Sequence, residues 1–595
     1  LEFRRVLFRS MRSKSTILIS TVLISSTLLW AGNLQKVHPL DSPLYRNLAT
    51  LYILQGKALP STSLPYNEDE AKRLLDRIDK TNLTSEAEQA LYEAIRKELQ
   101  PSRKQAGNLG YDISLDLTTE VYAHTNTSDF TAEQDWTYGY GERKSFGNLS
   151  FETWPVDSFY SYFELSLMNN FGVLDQFETR LPNEQPNTLY GKSPLTTNII
   201  MVAPNRIENI DLNFPYRAFV SLGSEHWNIQ VGRDKLSWGA GKSGNLMVSN
   251  NMPYQQFGRF TTGFDRFKYT LLSSFYTHPQ IFAYQNTDSA DPYYNAGANA
   301  QDLLGDGIKM FLAHRVEFRF LHDKLGLAVS ESMMYQSATG SIDLRFLNPV
   351  GFYHNQYIRG NSNSMLVFEA DYTPVKALNL YAQLAIDEIA FGEDVPPAAN
   401  SKPNAFGYLA GLQGALGIGK GVFTYSLEGA YTDPFMYMRE QYNPTTKQFG
   451  VGYDVIVRVL SHSMENLRYW QGYPYGGDAI VAQLNLGYEK PGKIRLEASM
   501  MFMVHGILDI NSTWTLYSGS ESLVTTPTTE NPFASAETGS VVSYTLLPTF
   551  LAEYSLNDNF SGMVHIAVPM IWNKGNDPKA LTYDVQLSLG VTYSI

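Results

Sequence analysis

Aromatic faces, amides and carboxylates gather in two stretches where no regular pattern holds. Asn348, Tyr353, His354, Asn355, Asn361 and Asn363 form the first, Trp470, Tyr473, Tyr475 and Asp478 form the second, and Trp238 stands ahead of both in a glycine-rich run. Such groups suit a sugar: a ring stacks on an indole or phenol face, and its hydroxyls bond to amides and carboxylates. Rim packing or loop closure is the competing reading of every one of them. Patterns for common catalysis are missing: there is no Gly-x-Ser-x-Gly elbow, no His-Glu-x-x-His helix and no phosphate loop. The ten histidines are scattered, and nothing selects His314, His354 or His462 as a base. Cysteine is absent, which excludes disulfides, thiolate metal sites and a cysteine nucleophile. The expectation is a binding protein that is not an enzyme and uses no metal or cofactor.

Loops that present such groups need a rigid support. The last stretch, Leu581 to Ile595, shows what supplies it. Leu581, Tyr583, Val585, Leu587, Leu589, Val591, Tyr593 and Ile595 alternate with Thr582, Asp584, Gln586, Ser588, Gly590, Thr592 and Ser594. Period two places these sets on opposite faces of a strand, and roughly 9–11 residues cross a bilayer at a tilt. The pattern begins at Tyr111 and recurs, as in Ile113/Leu115/Leu117, Trp227/Ile229/Val231, Leu366/Phe368/Ala370/Tyr372 and Ile480/Ala482/Leu484/Leu486/Tyr488. Short turns such as His322-Asp-Lys, Gly419-Lys-Gly and Lys490-Pro-Gly separate many of the strands. Short turns alternating with long loops describe an up-and-down transmembrane barrel. Aromatics at 13%, with 38 Tyr, fit interfacial girdles, and charged residues are only 18%. The expected fold is an all-β transmembrane barrel of about 18 antiparallel strands spanning residues 106–595. If every long loop lies on one side, the up/down order slips between 235 and 308 and again between 433 and 477.

The polar face carries charges of both signs. Arg315, Glu317 and Arg319 oppose Val316, Phe318 and Phe320, and are expected to form ion pairs in the lumen; Glu369, Asp371, Gln383, Asp387, Arg495 and Glu497 lie on the same kind of face. Gly232, Gly239 and Gly241 are expected at tight backbone bends.

Residues 33–105 change to helical spacing. Ser42-Pro43, Asn67 with Glu70, and Ser85 with Glu88 read as helix starts with caps, and Gly56 and Pro101 as stops. Leu44/Leu48/Leu51/Tyr52, Ala71/Leu74/Leu75/Ile78 and Leu91/Ile95/Leu99 are the apolar stripes of a small helical bundle. Residues 11–32 read as a secretory signal peptide, with Arg12 and Lys14 ahead of an apolar run to Trp30; residues 1–10 fit no pattern and read as an artefact. Loss of residues 1–31 removes five basic side chains (Arg4, Arg5, Arg9, Arg12, Lys14) and one acid (Glu2), which takes the formal charge from −13 to −17. An acidic chain is a poor partner for nucleic acid.

Several middle segments resemble the Wzi family of outer-membrane capsule-assembly proteins. They are Gly232-Arg-Asp-Lys-Leu-Ser-Trp-Gly-Ala-Gly, His314-Arg-Val-Glu, Phe346-Leu-Asn-Pro-Val-Gly-Phe-Tyr-His, Gln383-Leu-Ala-Ile-Asp-Glu and Trp470-Gln-Gly-Tyr-Pro-Tyr-Gly-Gly-Asp, in that order. The resemblance implies a barrel in the bacterial outer membrane with its helical bundle in the periplasm. It implies a non-enzymatic lectin that retains capsular or exopolysaccharide at the cell surface. Outer-membrane lipid would be a second partner, and a polysaccharide export complex is left open. The sugar contacts are expected on exposed loops around Tyr353–Asn363 and Trp470–Asp478. A general porin passing small solutes is the alternative, because it would share the alternation and the girdles.

Overall fold

The computed structural model describes residues 33–100, 105–106, 109–131, 135–139, 141–168, 194–200, 210, 215–277, 307–337, 342, 345, 348–356, 362–389, 404–440, 450–459, 465–510, 512–514, 529 and 540–595. The expected leader, residues 11–32, the ten residues before it, and Asn361 and His462 lie outside the described residues.

Eighteen antiparallel strands close into a barrel. In chain order they are β1 (Leu109–His124), β2 (Gly147–Val156), β3 (Phe159–Leu167), β4 (Ala218–Ser224), β5 (Trp227–Asp234), β6 (Gln255–Phe264), β7 (Phe267–Thr277), β8 (Ile308–Phe320) and β9 (Leu325–Ser337). They continue with β10 (Ser362–Val375), β11 (Leu378–Glu388), β12 (Ala405–Ile418), β13 (Gly421–Thr432), β14 (Ala479–Lys490), β15 (Ile494–His505), β16 (Ser543–Ser555), β17 (Phe560–Ala567) and β18 (Gln586–Ser594). Each strand pairs with its neighbour in sequence. The seam is made by β18 on β1, where Leu587 pairs with Ala123 and Tyr593 with Leu117.

The expected slips in strand order do not occur. The hairpin β6–β7 supplies two strands between 235 and 308, so order is kept there. Between 433 and 478 the chain makes a hairpin of its own, Asp454–Val459 with Glu465–Trp470, but β13 pairs directly with β14 and the hairpin stays out of the wall. Its residues Val455 and Val457 are buried. With order restored, the turns at 157–158, 225–226, 265–266, 321–324, 376–377, 419–420, 491–493 and 556–559 share one end, and the long loops share the other.

The apolar face of each strand looks outward. Ile229 and Val231 on β5, Phe368 on β10, Leu486 on β14 and Val591 on β18 keep between 39% and 58% of their area exposed, which is a lipid-facing band rather than a soluble core. Aromatic rings collect near the turn end, including Phe318, Phe320, Tyr372, Tyr554 and Phe560.

Three helices precede the barrel: α1 (Pro43–Leu54), α2 (Glu68–Asp76) and α3 (Glu86–Glu98). Ser42 caps α1 through the Leu44 N–H at 3.2 Å, and Gly56, at φ 74°, follows its end. Ser85 and Glu88 form a reciprocal capping box on α3, a device worth about 1 kcal/mol. The expected box on α2 is half made. Asn67 accepts the Glu70 N–H at 3.0 Å, but the Glu70 carboxylate turns away to Lys268 on β7 at 2.7 Å. The wall offers a charge, and a charged partner outweighs a backbone N–H. The expected stripes meet in one core with Ala415 of β12 and Val422 of β13, so the helices pack on the barrel as well as on each other.

Candidate functional site

Two parts of the chain fill the lumen from opposite ends. From the turn end, the connection between α1 and α2 threads inward. The Leu59 N–H donates to Asp371 at 2.6 Å, the Lys57 carbonyl accepts from Thr373 at 2.8 Å, and the Pro65 carbonyl accepts from Arg259 at 2.6 Å. From the loop end, residues 235–254, 433–440, 450–459 and 465–478 fold in. The two fillings meet: Ser63 and Leu64 pair antiparallel with Trp238 and Ser237, and the Gly239 N–H reaches the Thr62 carbonyl at 2.7 Å. Unpaired backbone groups inside a barrel are costly, and here wall and filling satisfy one another.

Arg315 sits at the centre of that meeting, fully buried. Its guanidinium bonds both oxygens of Glu369, Glu317 at 3.3 Å, the Ser330 hydroxyl at 3.1 Å and the Thr62 hydroxyl. Glu317 in turn accepts from the Ser63 hydroxyl at 2.6 Å and the Thr62 N–H at 3.3 Å, and lies 3.5 Å from Arg319. Arg315, Glu317 and Arg319 therefore tie the threaded segment to β8. Ser61, Thr62 and Ser63 are partners that no strand periodicity could reveal, because they lie in a helix–helix connection.

The in-folded loops carry most of the aromatic candidates. Trp238, Tyr473 and Asp478 have no exposed area and Trp470 keeps 8%. The stretch Trp470–Asp478 is expected on an exposed loop; Trp470 and Tyr473 stand instead, with Trp238, in an inner apolar core with Leu246, Met334, Met436, Tyr437 and Tyr453, and Asp478 is buried too. Burial in that core removes their apolar area from water, a gain unavailable on an open loop. Asp478 accepts the Thr529 N–H at 2.7 Å and the Leu508 N–H at 3.2 Å, and the Tyr473 hydroxyl lies 2.9 Å from that of Ser243. Tyr475 is half-buried, its hydroxyl on Met501. The glycines of the 232–241 run are conformational: Gly232 and Gly239 have φ of 147° and 127°. A Cβ on Gly239 would lie 1.9 Å from the Gln383 amide nitrogen.

The first stretch takes a different place. Residues 348–356 lie against the outer face of β8 and β9, where Tyr353 covers Met310, Leu312, Met333 and Tyr335. Glu331, on the outward face, accepts the Tyr353 N–H at 3.0 Å, the His354 N–H at 2.9 Å and a contact from His314 at 2.9 Å. Asn348, His354 and Asn355 are exposed, and Phe352 keeps 69% of its area. Asn363 faces the lumen, its amide on Asp387 at 3.2 Å. The described candidates therefore divide: Asn348, His354 and Asn355 outside, the others buried or half-buried.

His124 lies 3.0 Å from Asp584, with both side chains fully buried at the seam. No cluster of three potential ligands able to hold a metal occurs among the described residues.

The turn end holds a pH-dependent tie. Asp323, between β8 and β9, bonds Arg77 of the helical segment at 2.6 Å and Lys57 at 3.3 Å. Burial raises its carboxyl, but Arg77 and Lys57 outweigh this and hold it below the usual range. A carboxyl depressed on folding stabilises fully above its unfolded value of about 3.9 and ceases to do so as pH falls through the folded one. Amide exchange at Lys57–Leu59 is therefore expected to quicken below about pH 4. Asp323→Asn should show the fast exchange already at pH 7; equal protection in parent and variant would refute the tie.

A closed antiparallel barrel with an apolar outer band is the architecture of outer-membrane proteins, and this chain has that fold. Among solved structures it is similar to Wzi of Escherichia coli, an outer-membrane protein involved in group 1 capsule assembly and described as a carbohydrate-binding β-barrel. The TM-score is 0.53 at 12% identity, over 93% of this chain and 98% of that one. It is also similar to OccK2 (OpdF) of Pseudomonas aeruginosa, with TM-score 0.36 and 10% identity over 82% of this chain and 97% of that one. A BenF-like porin from Pseudomonas fluorescens gives 0.36 and 9% over 82% and 99%. No family model and no curated protein matches the chain.

Proposed function

We propose that this protein is a non-enzymatic, non-conducting outer-membrane lectin that binds capsular or exopolysaccharide and retains it at the cell surface. The observation that carries the reading is the doubly filled lumen, in which Ser63–Leu64 pairs with Ser237–Trp238. A porin has no use for a threaded segment held by buried charges. The likeness to a carbohydrate-binding barrel supports the same reading. The helical segment, on the turn end, lies in the periplasm, since short turns face that side in bacterial barrels. Lipid surrounds the band, and an export complex would dock from the periplasmic side.

We assign glycan contact to the candidates that the rest of the chain leaves uncovered, Asn348, His354 and Asn355 beside the Phe352 ring. Replacing these three polar residues together with Ala should cost about 1 kcal/mol per lost hydrogen bond, and a repeating polymer multiplies the loss. Binding of the host's own surface polysaccharide should fall at least tenfold while the heat-modifiable mobility stays as in the parent. Undiminished binding would remove this placement. In a planar bilayer the parent should stay closed; a large, steady conductance would favour the porin.

A further inference from the structure

The filling does not occupy the whole barrel. Inward side chains of β7 to β11 are buried beneath it, whereas Gln483 and Asn485 on β14 and Arg495, Glu497 and Ser499 on β15 remain partly exposed. Two cavities lie there. One, of about 490 Å³, is bounded by α1, the inner faces of β12 to β17 and Lys242. The other, of about 480 Å³, is bounded by β1 to β3, β17, β18, Lys144 and Lys235. They abut along β17, which gives His565 to the first and Ser561 to the second. Each is the size of an ordinary small-molecule site, roughly 300–1,000 Å³. Their walls carry amides and hydroxyls, including Gln483, Asn485, Ser499 and Thr549 in one and Asn148 and Thr592 in the other, along with the carboxylates of Glu489 and Glu497 in the first and Asp116 and Glu164 in the second.

The cations set the chemistry. Elsewhere inside the barrel most cations are matched, Arg315 with Glu369, Lys268 with Glu70, Arg217 with Asp234 and Lys309 with Asp454, while Arg259 is held by the Pro65 carbonyl and the Gln230 amide oxygen. At the cavities, Arg495 holds Glu497 and Glu553, and Arg46 lies 3.6 Å from Glu489. Lys242, Lys235 and Lys144 differ. None has a carboxylate within 4.0 Å among the described residues, and Lys235 reaches only the Gly141 carbonyl at 3.4 Å. Lys242 is nevertheless fixed in place. Its own N–H and that of Ser243 donate to Glu428 at 2.7 and 2.8 Å, so the ammonium projects from a pinned backbone into the larger cavity. Lys242 is exposed in that cavity, and Glu428 and Glu497 act on it only from beyond ion-pair distance, so its ammonium is open to a ligand anion.

We propose that the two cavities form a binding vestibule for a carboxylate-bearing saccharide. The lysines meet its carboxylates, and the amides and hydroxyls of the wall meet its hydroxyls. Asp116, in the smaller cavity, is an acceptor for further hydroxyls. This site is separate from the outer patch at residues 348–355, and it stands whether or not that patch binds glycan.

The absence of cysteine makes a clean test, because a single introduced thiol is the only one in the chain. Lys242→Cys and Lys235→Cys, in the full-length protein in detergent, should react with a charged methanethiosulfonate reagent. A glucuronate-containing tetrasaccharide should slow that reaction; maltotetraose should not. Free glucuronate protecting as well as the tetrasaccharide would assign the site to single acid sugars rather than to a chain. In calorimetry, Lys242→Gln should weaken tetrasaccharide binding about tenfold, the loss of one charge-assisted contact, while Lys242→Arg keeps it. Heat-modifiable mobility identifies any variant that has failed to fold, and Lys235→Gln then serves as the second reading. Unreactive thiols, equal protection by maltotetraose, or tetrasaccharide affinity unchanged in both Lys→Gln variants would overturn the proposal. Loss of the outer patch's effect with retained Lys242 dependence would remove the surface-lectin reading and leave this one.

Discussion

Arg315→Ala should loosen the barrel's filling and make a closed protein conduct. Arg315 bonds Glu317, Glu369, Ser330 and Thr62, and has no exposed area. Its loss leaves two carboxylates buried with too few partners. Breaking a buried pair by removing one member costs about 3–5 kcal/mol, far more than a surface pair would. The strain is relieved most easily by water, which enters if the threaded segment withdraws from β8. Transient conductance in a planar bilayer and faster protease cleavage within residues 57–65 are therefore expected together. Arg315→Met combined with Glu317→Gln and Glu369→Leu should recover much of the loss, because removing both sides of a buried pair is often near neutral. A single variant as silent and protease-resistant as the parent would show that the cluster does not hold the filling in place.

Asp584→Ala should weaken the seam by a comparable amount. This carboxylate accepts the Thr125 N–H at 2.9 Å, the Asn126 N–H at 2.8 Å, the Thr125 hydroxyl at 3.0 Å and His124 at 3.0 Å. It is fully buried where β18 meets β1, the pairing that closes the barrel from the two ends of the chain. Each buried donor left unmet costs about 1–3 kcal/mol. The band conversion on heating should occur at a temperature at least ten degrees lower, on the order of a few kcal/mol of destabilisation. Burial raises the Asp584 carboxyl, but His124 and the two N–H donors outweigh it and hold it well below the usual range. Its contribution is therefore complete above pH of about 3.9 and falls as acid approaches the folded value. The parent should lose thermal resistance in strong acid, and the variant should lose little more. Equal conversion temperatures at pH 7 would mean that backbone pairing alone holds the seam.

The strands, their inward and outward faces and the helix caps were legible in the sequence, because each depends on local spacing. Leu581–Ile595 announces its lipid face by alternation alone, and Ser85 with Glu88 announces a helix start within four residues. The mixed charges on Arg315, Glu317 and Glu369 pointed inward for the same reason. What those charges bind did not show. Ser61, Thr62 and Ser63 lie far away in sequence and belong to no periodic element, so only the closed barrel brings them to β8. Tertiary structure also decided the fate of the aromatic loops. Polar, glycine-containing stretches read alike whether they project into water or fold back into a cylinder. Trp238, Trp470 and Tyr473 went inward because the barrel offered an apolar interior that their rings and the folded-back chain could fill together. Residues 348–356 went to the outer wall, because Met310, Leu312 and Met333 left an apolar patch there for Tyr353 to cover. Lys242 and Lys235 carry no signature in sequence at all. That neither meets a carboxylate at ion-pair distance is decided only in three dimensions, where charge is matched by distance and not by order along the chain.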